Sequence, residues 1–409
     1  MRLFRITTNY FPYLQQFYKK NPKLKFEGYT NQYQTLMADC FGWADFWTHA
    51  LRNFGYDVWE PVSNAEPMQK AWAHENGINF DEKRWLTDIV IAQIKCFGPD
   101  IIFVNDYSTF KADFFRRLRN ECPTIRLIIG WCGAPYSDVN VFKEYDLVLS
   151  NIPEFVKDFN LQGLRSKYMH HAFEPRILNK IKKNREKKCN ISFVGSIVKA
   201  SGFHTKREKL LGKIVQEVDL EIFSDINNPS LKELVLQLSK RKIYDLVQIT
   251  KGVPGSMLFL ENLPKIRNFT RMKNRPCISR KVDSKISSVS KKALFGLSMY
   301  QKLYESKIAL NTHIDISILY ASNMRLFEAT GVGTCLLTEW QPNLIELFDV
   351  DRDVVTYQNV EEAIEKIRYL QLNEKECLKI GLAGQKRALE NHTFDIRAQQ
   401  LDKIIRQNI

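Results

Sequence analysis

The stretch NMRLFEATGVG, Asn323 to Gly333, runs directly into TCLLTEW, Thr334 to Trp340. It reads as a helix start, a short helix, two glycines and an apolar strand. Asn323 is a favoured N-cap residue, and the unpaired N–H groups of a first helical turn, at the positive end of the helix dipole, attract anions. Arg325 falls in that turn, where a cation opposes the dipole unless an anion is bound; its forked guanidinium suits phosphate oxygens. Glu328 lies three residues on, along the same face, as a two-oxygen acceptor for paired ribose hydroxyls. Gly331 follows on that face, and its missing side chain lets a nucleotide or a neighbouring strand come close. The plainer alternative is an i,i+3 surface ion pair between Arg325 and Glu328 on a helix ended by glycine, worth about 0.2–0.5 kcal/mol.

Working outward, the same alternation of apolar strands and helical segments recurs on both sides. NISFVGS (Asn190 to Ser196), DLEIFSD (Asp219 to Asp225), KIALNTH (Lys307 to His313), TCLLTEW and VVTYQN (Val354 to Asn359) predict one parallel sheet covered by helices. RLFRITT (Arg2 to Thr8), YDVWEPV (Tyr56 to Val62), DIIFVND (Asp100 to Asp106), RLIIGWC (Arg126 to Cys132), DLVLSN (Asp146 to Asn151) and KYMHHAF (Lys167 to Phe173) predict another. Helical segments such as Glu82 to Phe97 and Phe110 to Glu121 lie between them. The expected class is α/β, with two doubly wound parallel-sheet domains at 1–175 and 189–392. The basic run RILNKIKKNREKK over 176–188 links them, as a linker or an exposed helix.

Length and composition agree: 409 residues exceed the roughly 250–300 at which single cores stop growing, and 44% hydrophobic residues suffice for two. The net charge of +14 predicts acidic partners, whether nucleotides, anionic lipid or nucleic acid. Eight scattered cysteines (Cys40, Cys96, Cys122, Cys132, Cys189, Cys277, Cys335, Cys377) without a CxxC pair read as buried thiols of a reducing cytoplasm. Arg5 interrupts the apolar N-terminus, which argues against a signal peptide, and no apolar run approaches the ~20 residues of a membrane span. Residues 9–33 are crowded with aromatics just after the first strand, where open α/β sheets place ligand loops; they wall an acceptor pocket or cover core. The 263–292 insertion is strongly basic. It reads as a solvated loop or as contact with an anionic membrane face, a lipid phosphate or nucleic acid, with nucleic acid ranked below the membrane.

From Asn190 onward the chain resembles the CgeB-like glycosyltransferases, filed with the group 1, GT-B glycosyltransferases. The resemblance rests on ISFVGS (Ile191 to Ser196) with Arg207 downstream, YQKLYESKIALNTHIDI (Tyr300 to Ile316), NMRLFEATGVGTCLLTEW, ELFDVDRDVVTY (Glu346 to Tyr357) and IGLAGQKRALENHTFDIR (Ile380 to Arg397). IGWCGAP (Ile129 to Pro135) and HHAFEP (His170 to Pro175) extend it loosely into the first half. It implies two Rossmann-like domains facing a central cleft, the C-terminal one holding a nucleoside-diphosphate sugar and the N-terminal one the acceptor. It also implies that the last helix, 393–409, packs back on the N-terminal domain. The ribose-contacting Glu of the family's Glu-x(7)-Glu motif falls on Glu328, whereas the first Glu of that motif falls on Tyr320, a departure. Gly195 and Ser196 are expected to approach the diphosphate from across the cleft, with Arg207 adding charge.

The implied chemistry is transfer of a sugar to an acceptor hydroxyl of a glycan, a lipid-linked acceptor or a protein. Fixed cations stabilise the diphosphate leaving group, so no cofactor or obligatory metal is expected, and the sequence has no DxD triplet. His313, ending KIALNTH, is a further donor-site candidate. The catalytic candidates are Asp106, at the carboxyl edge of its strand, and His171, in the stretch joining the domains; the alternatives are a loop cap and a structural histidine. Asp39 is a lesser acceptor-side candidate, and His49 reads as packing. Two other classes remain: an anionic-surface or nucleic-acid binder on a degenerate scaffold, and a nicotinamide dehydrogenase, ranked last for want of a GxGxxG turn.

Overall fold

A computed structural model describes residues 1–136, 138–183, 187–197, 205–226, 228–250, 260, 262–263, 266–270, 272, 275–276, 278, 281–313 and 320–409. Cys277, residues 184–186 of the basic linker, residues 314–316 of the quoted KIALNTHIDI run and parts of the 263–292 insertion lie outside them.

Each half contains a six-stranded, all-parallel sheet. β1 (Arg2–Ile6), β2 (Asp57–Trp59), β3 (Ile101–Val104), β4 (Leu127–Trp131), β5 (Leu147–Ser150) and β6 (Ser166–Tyr168) run in the order β2-β1-β3-β4-β5-β6. β7 (Cys189–Val194), β8 (Glu221–Phe223), β9 (Ser290–Lys291), β10 (Ser306–Asn311), β11 (Cys335–Glu339) and β12 (Val355–Tyr357) run β12-β11-β10-β7-β8-β9. Every strand expected from the sequence is present. The unforeseen one is β9, two polar residues inside the expected basic loop, which pair with β8 as an edge strand. A lysine on such an edge discourages further strand pairing.

The apolar runs are buried on both faces, and alternate residues serve different cores. Phe4, Ile102 and Ile128 face one cluster, while Leu3, Ile101 and Leu127 face another. The second cluster continues through Phe173, Tyr300, Leu326 and Phe394, so apolar packing is continuous from one half to the other. The segment that leads from one half to the other follows β6, and in it Phe173 N–H donates to His392 O (2.8 Å) and Phe394 N–H donates to Phe173 O (3.1 Å). The helix Phe394–Arg406, started by the Thr393 side chain, then lies on the N-terminal domain. Phe394 meets Phe46 and Trp47 edge-on, and Tyr56 Oη donates to Asp402 (2.8 Å).

The loops after the strands' carboxyl ends face each other. Asn151, after β5, donates across to Ser322 O, and Tyr13 and Phe41 pack edge-on against Phe295. The aromatic 9–33 segment is mostly helical, Phe11–Lys20 and Tyr29–Ala38, and much of it seals this boundary. Of the described cysteines only Cys96 is exposed. Among the described residues no helix is long and apolar enough to cross a membrane.

Candidate active site

The helix of the deciding stretch spans Arg325–Gly331 and starts from Met324, without a side-chain cap. The expected N-cap, Asn323, instead donates to Asn311 Oδ1 (2.7 Å) and Thr312 O (3.0 Å), while Asn311 donates to Thr338 Oγ1 (2.8 Å). An asparagine offered fixed acceptors at a strand end gives up its cap, because one short side chain cannot reach both. The N–H groups of Leu326, Phe327 and Glu328 donate to the carbonyls of Asn323 and Met324 at 3.0–3.3 Å. The capacity to hold an anion therefore shifts from the helix end to Arg325.

Arg325 and Glu328 do pair, at 2.6 Å, but not on the surface: their side chains are 16% and 8% exposed. Arg325 also donates to Val194 O (3.0 Å), tying the helix to the end of β7, and its buried Nε has no partner. Tyr300 Oη approaches Glu328 Oε1 at 3.4 Å; burial first, then the Glu328 charge, push that phenol well up. Tyr10, in the loop after β1, stands across from this carboxylate. It is 69% exposed, yet protein surrounds it as the wall of an open cleft; that crowding, then the charge of Glu328, raise its phenol. Gly331 does not face this space. A Cβ there would lie 2.3 Å from the Phe173 ring, so the close neighbour is the crossing segment, not a nucleotide.

The other donor-side candidates form the floor behind the pair. Gly195 N–H is taken by Phe223 O (3.2 Å) and Ile197 N–H by Ser224 Oγ (3.2 Å), so these two amides brace β8 instead of pointing into the cleft. Ser196 O accepts from Arg207 (2.8 Å), whose guanidinium also donates to Thr312 Oγ1 (2.9 Å) and Thr312 O (3.1 Å). Buried Arg207 is thus a bracket between the ends of β7 and β10, since forked donors match carbonyls as well as phosphates. His313 is buried, with Nε2 on Glu339 O (2.9 Å) and Nδ1 unpartnered. Burial, together with the Arg207 charge and against the Glu339 hydrogen bond, brings its pKa down to about 4.

The acceptor-side candidates are scattered. Asp106 caps its own loop: Oδ1 accepts from Ser108 N–H (2.8 Å), Ser108 Oγ (2.7 Å) and Thr109 N–H (2.8 Å), and Oδ2 from Thr8 Oγ1 (2.6 Å). Burial raises its pKa, but the bonds from Thr109, Thr8 and Ser108 outweigh that and hold it below the usual carboxylate value, which suits a cap and not a base. His171 lies between Trp43 and Trp131, ring centroids 5.8 and 5.1 Å away, with Nδ1 unpartnered. Burial and the Arg397 charge push it down to about 3. Asp39 is a clasp between the halves: its carbonyl accepts from Leu297 N–H (2.8 Å), and it fills the space beside Gly296, whose φ of +53° favours glycine. His49 pairs with Asp45 (3.2 Å) on a partly exposed helix instead of packing inside. Tyr320 adjoins Ala321, whose backbone Asn343 holds at 2.7 and 3.1 Å.

The sequence carries no sign that Tyr300 and Tyr10 neighbour Glu328. Tyr300 sits at an apolar position of an amphipathic helix, Gly296–Glu305, where a phenol reads as core. Tyr10 was visible only as one of a crowd.

Residues 279–403 match the family model described as "Glycosyl transferase-like", a span that includes Tyr300, Arg325 and Glu328. No curated protein matches the chain by sequence. Among solved structures, HepE from Anabaena in complex with UDP and glucose is similar over 100% of both chains, with a TM-score of 0.53 at 11% identity. The same protein in complex with UDP-glucose gives 0.51 at 10% over 99% of each. A sucrose-phosphate synthase from Thermosynechococcus elongatus gives 0.50 at 10%, over 100% of this chain and 98% of that one. The fold is that of the GT-B glycosyltransferases, and the matched domain on it supports a transferase enzyme.

Proposed function

We propose that this protein is a CgeB-like glycosyltransferase that moves a sugar from a nucleoside-diphosphate sugar to an acceptor hydroxyl, on a glycan, a lipid-linked acceptor or a protein. The observation that carries the reading is the buried Arg325–Glu328 pair at the cleft, inside the matched domain. Glu328 offers its remaining lone pairs to the ribose hydroxyls. Arg325, with a donor to spare, turns toward the diphosphate and offsets the charge that grows on the leaving oxygen as the sugar C1–O bond breaks. The acceptor oxygen forms the new bond to C1 and gives up its proton. Neither catalytic candidate is set to take it, since four donors saturate Asp106 and the pKa of His171 is pushed down to about 3, so the proton leaves with the diphosphate or to water. Transfer without an obligatory metal, in the cytoplasm at the membrane's inner face, completes the proposal; activity that survives a chelator is expected on this basis.

Isothermal titration with uridine, guanosine, thymidine and cytidine diphosphates tests the donor site. At least one should bind, Glu328→Ala should weaken it by about tenfold or more, and Arg325→Ala should weaken the diphosphate more than the matching nucleoside. Binding by none, or binding indifferent to Glu328→Ala, would sink the assignment.

A further inference from the structure

The insertion between β8 and β9, at the edge of the second sheet, contains a helix that leaves an apolar stripe in water. It spans Leu231–Thr250, and its start is a capping box: Ser230 N–H donates to Glu233 Oε2 (2.7 Å) and Glu233 N–H to Ser230 Oγ (3.2 Å). At about 1.5 Å per residue it is roughly 30 Å long. One face is anchored at Val247, which is buried, while Arg275 holds Asp245, at the edge of the opposite face, at 2.7 Å. The opposite face carries Leu231, Val235, Leu238, Leu246 and Ile249, all exposed, Leu231 and Ile249 by about three quarters. Their spacing puts them in one line along the helix, with Lys242 filling the gap between Leu238 and Leu246.

The charge of the insertion's sequence says what covers the stripe. Residues 231–292 contain fifteen Lys and Arg against four Asp and Glu, a net +11 of the chain's +14. Exposed Lys232, Lys240, Lys281 and Lys285 are among them. A second copy would bring the same charge against itself, whereas anionic lipid offers both apolar chains and compensating phosphates. We propose that Leu231–Thr250 lies flat in the interface of an anionic membrane, its leucine stripe among the acyl chains. Lys242 extends from the stripe to the headgroups, as long cationic side chains do. This names the membrane-contacting element of the location proposed above and is independent of the donor site.

Co-sedimentation of the full chain with vesicles is the test. Phosphatidylcholine vesicles with roughly a quarter phosphatidylglycerol should retain the protein, pure phosphatidylcholine should not, and added salt should weaken retention. The triple variant Leu238→Gln, Leu246→Gln, Ile249→Gln changes only exposed positions and should lower partitioning by about tenfold or more. Replacing Lys232, Lys240 and Lys242 by Gln should lower it as well. Nucleotide-induced thermal shifts, read on the same samples, should be unchanged, so a failed donor site and a failed membrane helix give different results. No retention on anionic vesicles at low salt, or retention undiminished in the apolar variant, overturns the proposal. So does a dimer that the apolar variant dissociates.

Discussion

Asp106 and Glu328 are both carboxylates at the cleft, Asp106 in the loop after β3 and Glu328 on the Arg325–Gly331 helix, and they are used in opposite ways. Asp106 is satisfied by its own loop and by the loop after β1, three donors arriving from Ser108 and Thr109 and a fourth from Thr8. Glu328 takes one strong bond from Arg325 and a long approach from Tyr300, with the Arg325 Nε left unpartnered beside it. A saturated carboxylate stabilises a turn and has no capacity left for a ligand. One paired with an unsatisfied cation is a site in waiting, because a ligand with hydroxyls and phosphates can satisfy both partners at once. Position at the cleft therefore nominates a residue, and its remaining hydrogen-bonding capacity decides.

The strongest way to break the contrast is to remove Glu328. Glu328→Ala leaves the Arg325 guanidinium buried without its counter-charge, and the unfolding free energy should fall by about 3–5 kcal/mol. Urea unfolding of the variant measures this. A change below about 1 kcal/mol would mean that the pair is solvated and that the contrast with Asp106 fails. Saturating diphosphate should restore part of the loss in Arg325-containing protein, through mass action on the folded state.

A pH series sharpens the comparison more gently. His313 behind the donor helix has a folded pKa of about 4, His171 and His170 in the crossing segment about 3, and His392 about 4, all depressed first of all by burial. These values lie below the roughly 6.5 of an unfolded histidine, so the unfolded chain takes up protons first as pH falls. Their contribution is complete above about pH 6.5 and is lost downward toward pH 4, by up to about 1.4 kcal/mol per pH unit for each histidine. Asp106, held below its ordinary value, keeps its contribution until pH drops beneath the usual carboxylate range and loses it through its folded pKa. Unfolding free energies at pH 7.5, 6 and 5 should thus decline with the donor side and the crossing segment while the Asp106 loop is untouched. A flat profile over that interval would show that these histidines are hydrated.

The two carboxylates also mark what the sequence could disclose. Apolar runs in the right order located every strand except β9, whose two residues owe their pairing to the β8 edge and carry no apolar signal. The cap at Asp106 was readable, because Ser108 and Thr109 lie within three residues of it. The position of Asn323 was not: its acceptors come from the end of β10, a dozen residues upstream, and capping propensity says nothing of them. Burial of the Arg325–Glu328 pair likewise depends on Val194, more than a hundred residues away. The Leu231–Thr250 helix has local signals, a capping box and a four-and-three apolar spacing, but whether its apolar face is covered or exposed is not a local property.

The smallest effect belongs to Asp106→Asn. The amide keeps one carbonyl oxygen for the Ser108 and Thr109 N–H groups, while the charge that strengthens all four bonds is lost, and the NH2 group now meets the Thr8 hydroxyl, which can turn to accept. The expected loss is about 1 kcal/mol of stability, visible in urea unfolding, with nucleoside-diphosphate affinity unchanged. If Asp106 removed the acceptor's proton, the same variant would instead lower kcat by about a hundredfold or more at unchanged stability. Reading both quantities on one variant separates a loop cap from a base, and it is the loop cap that four short bonds predict.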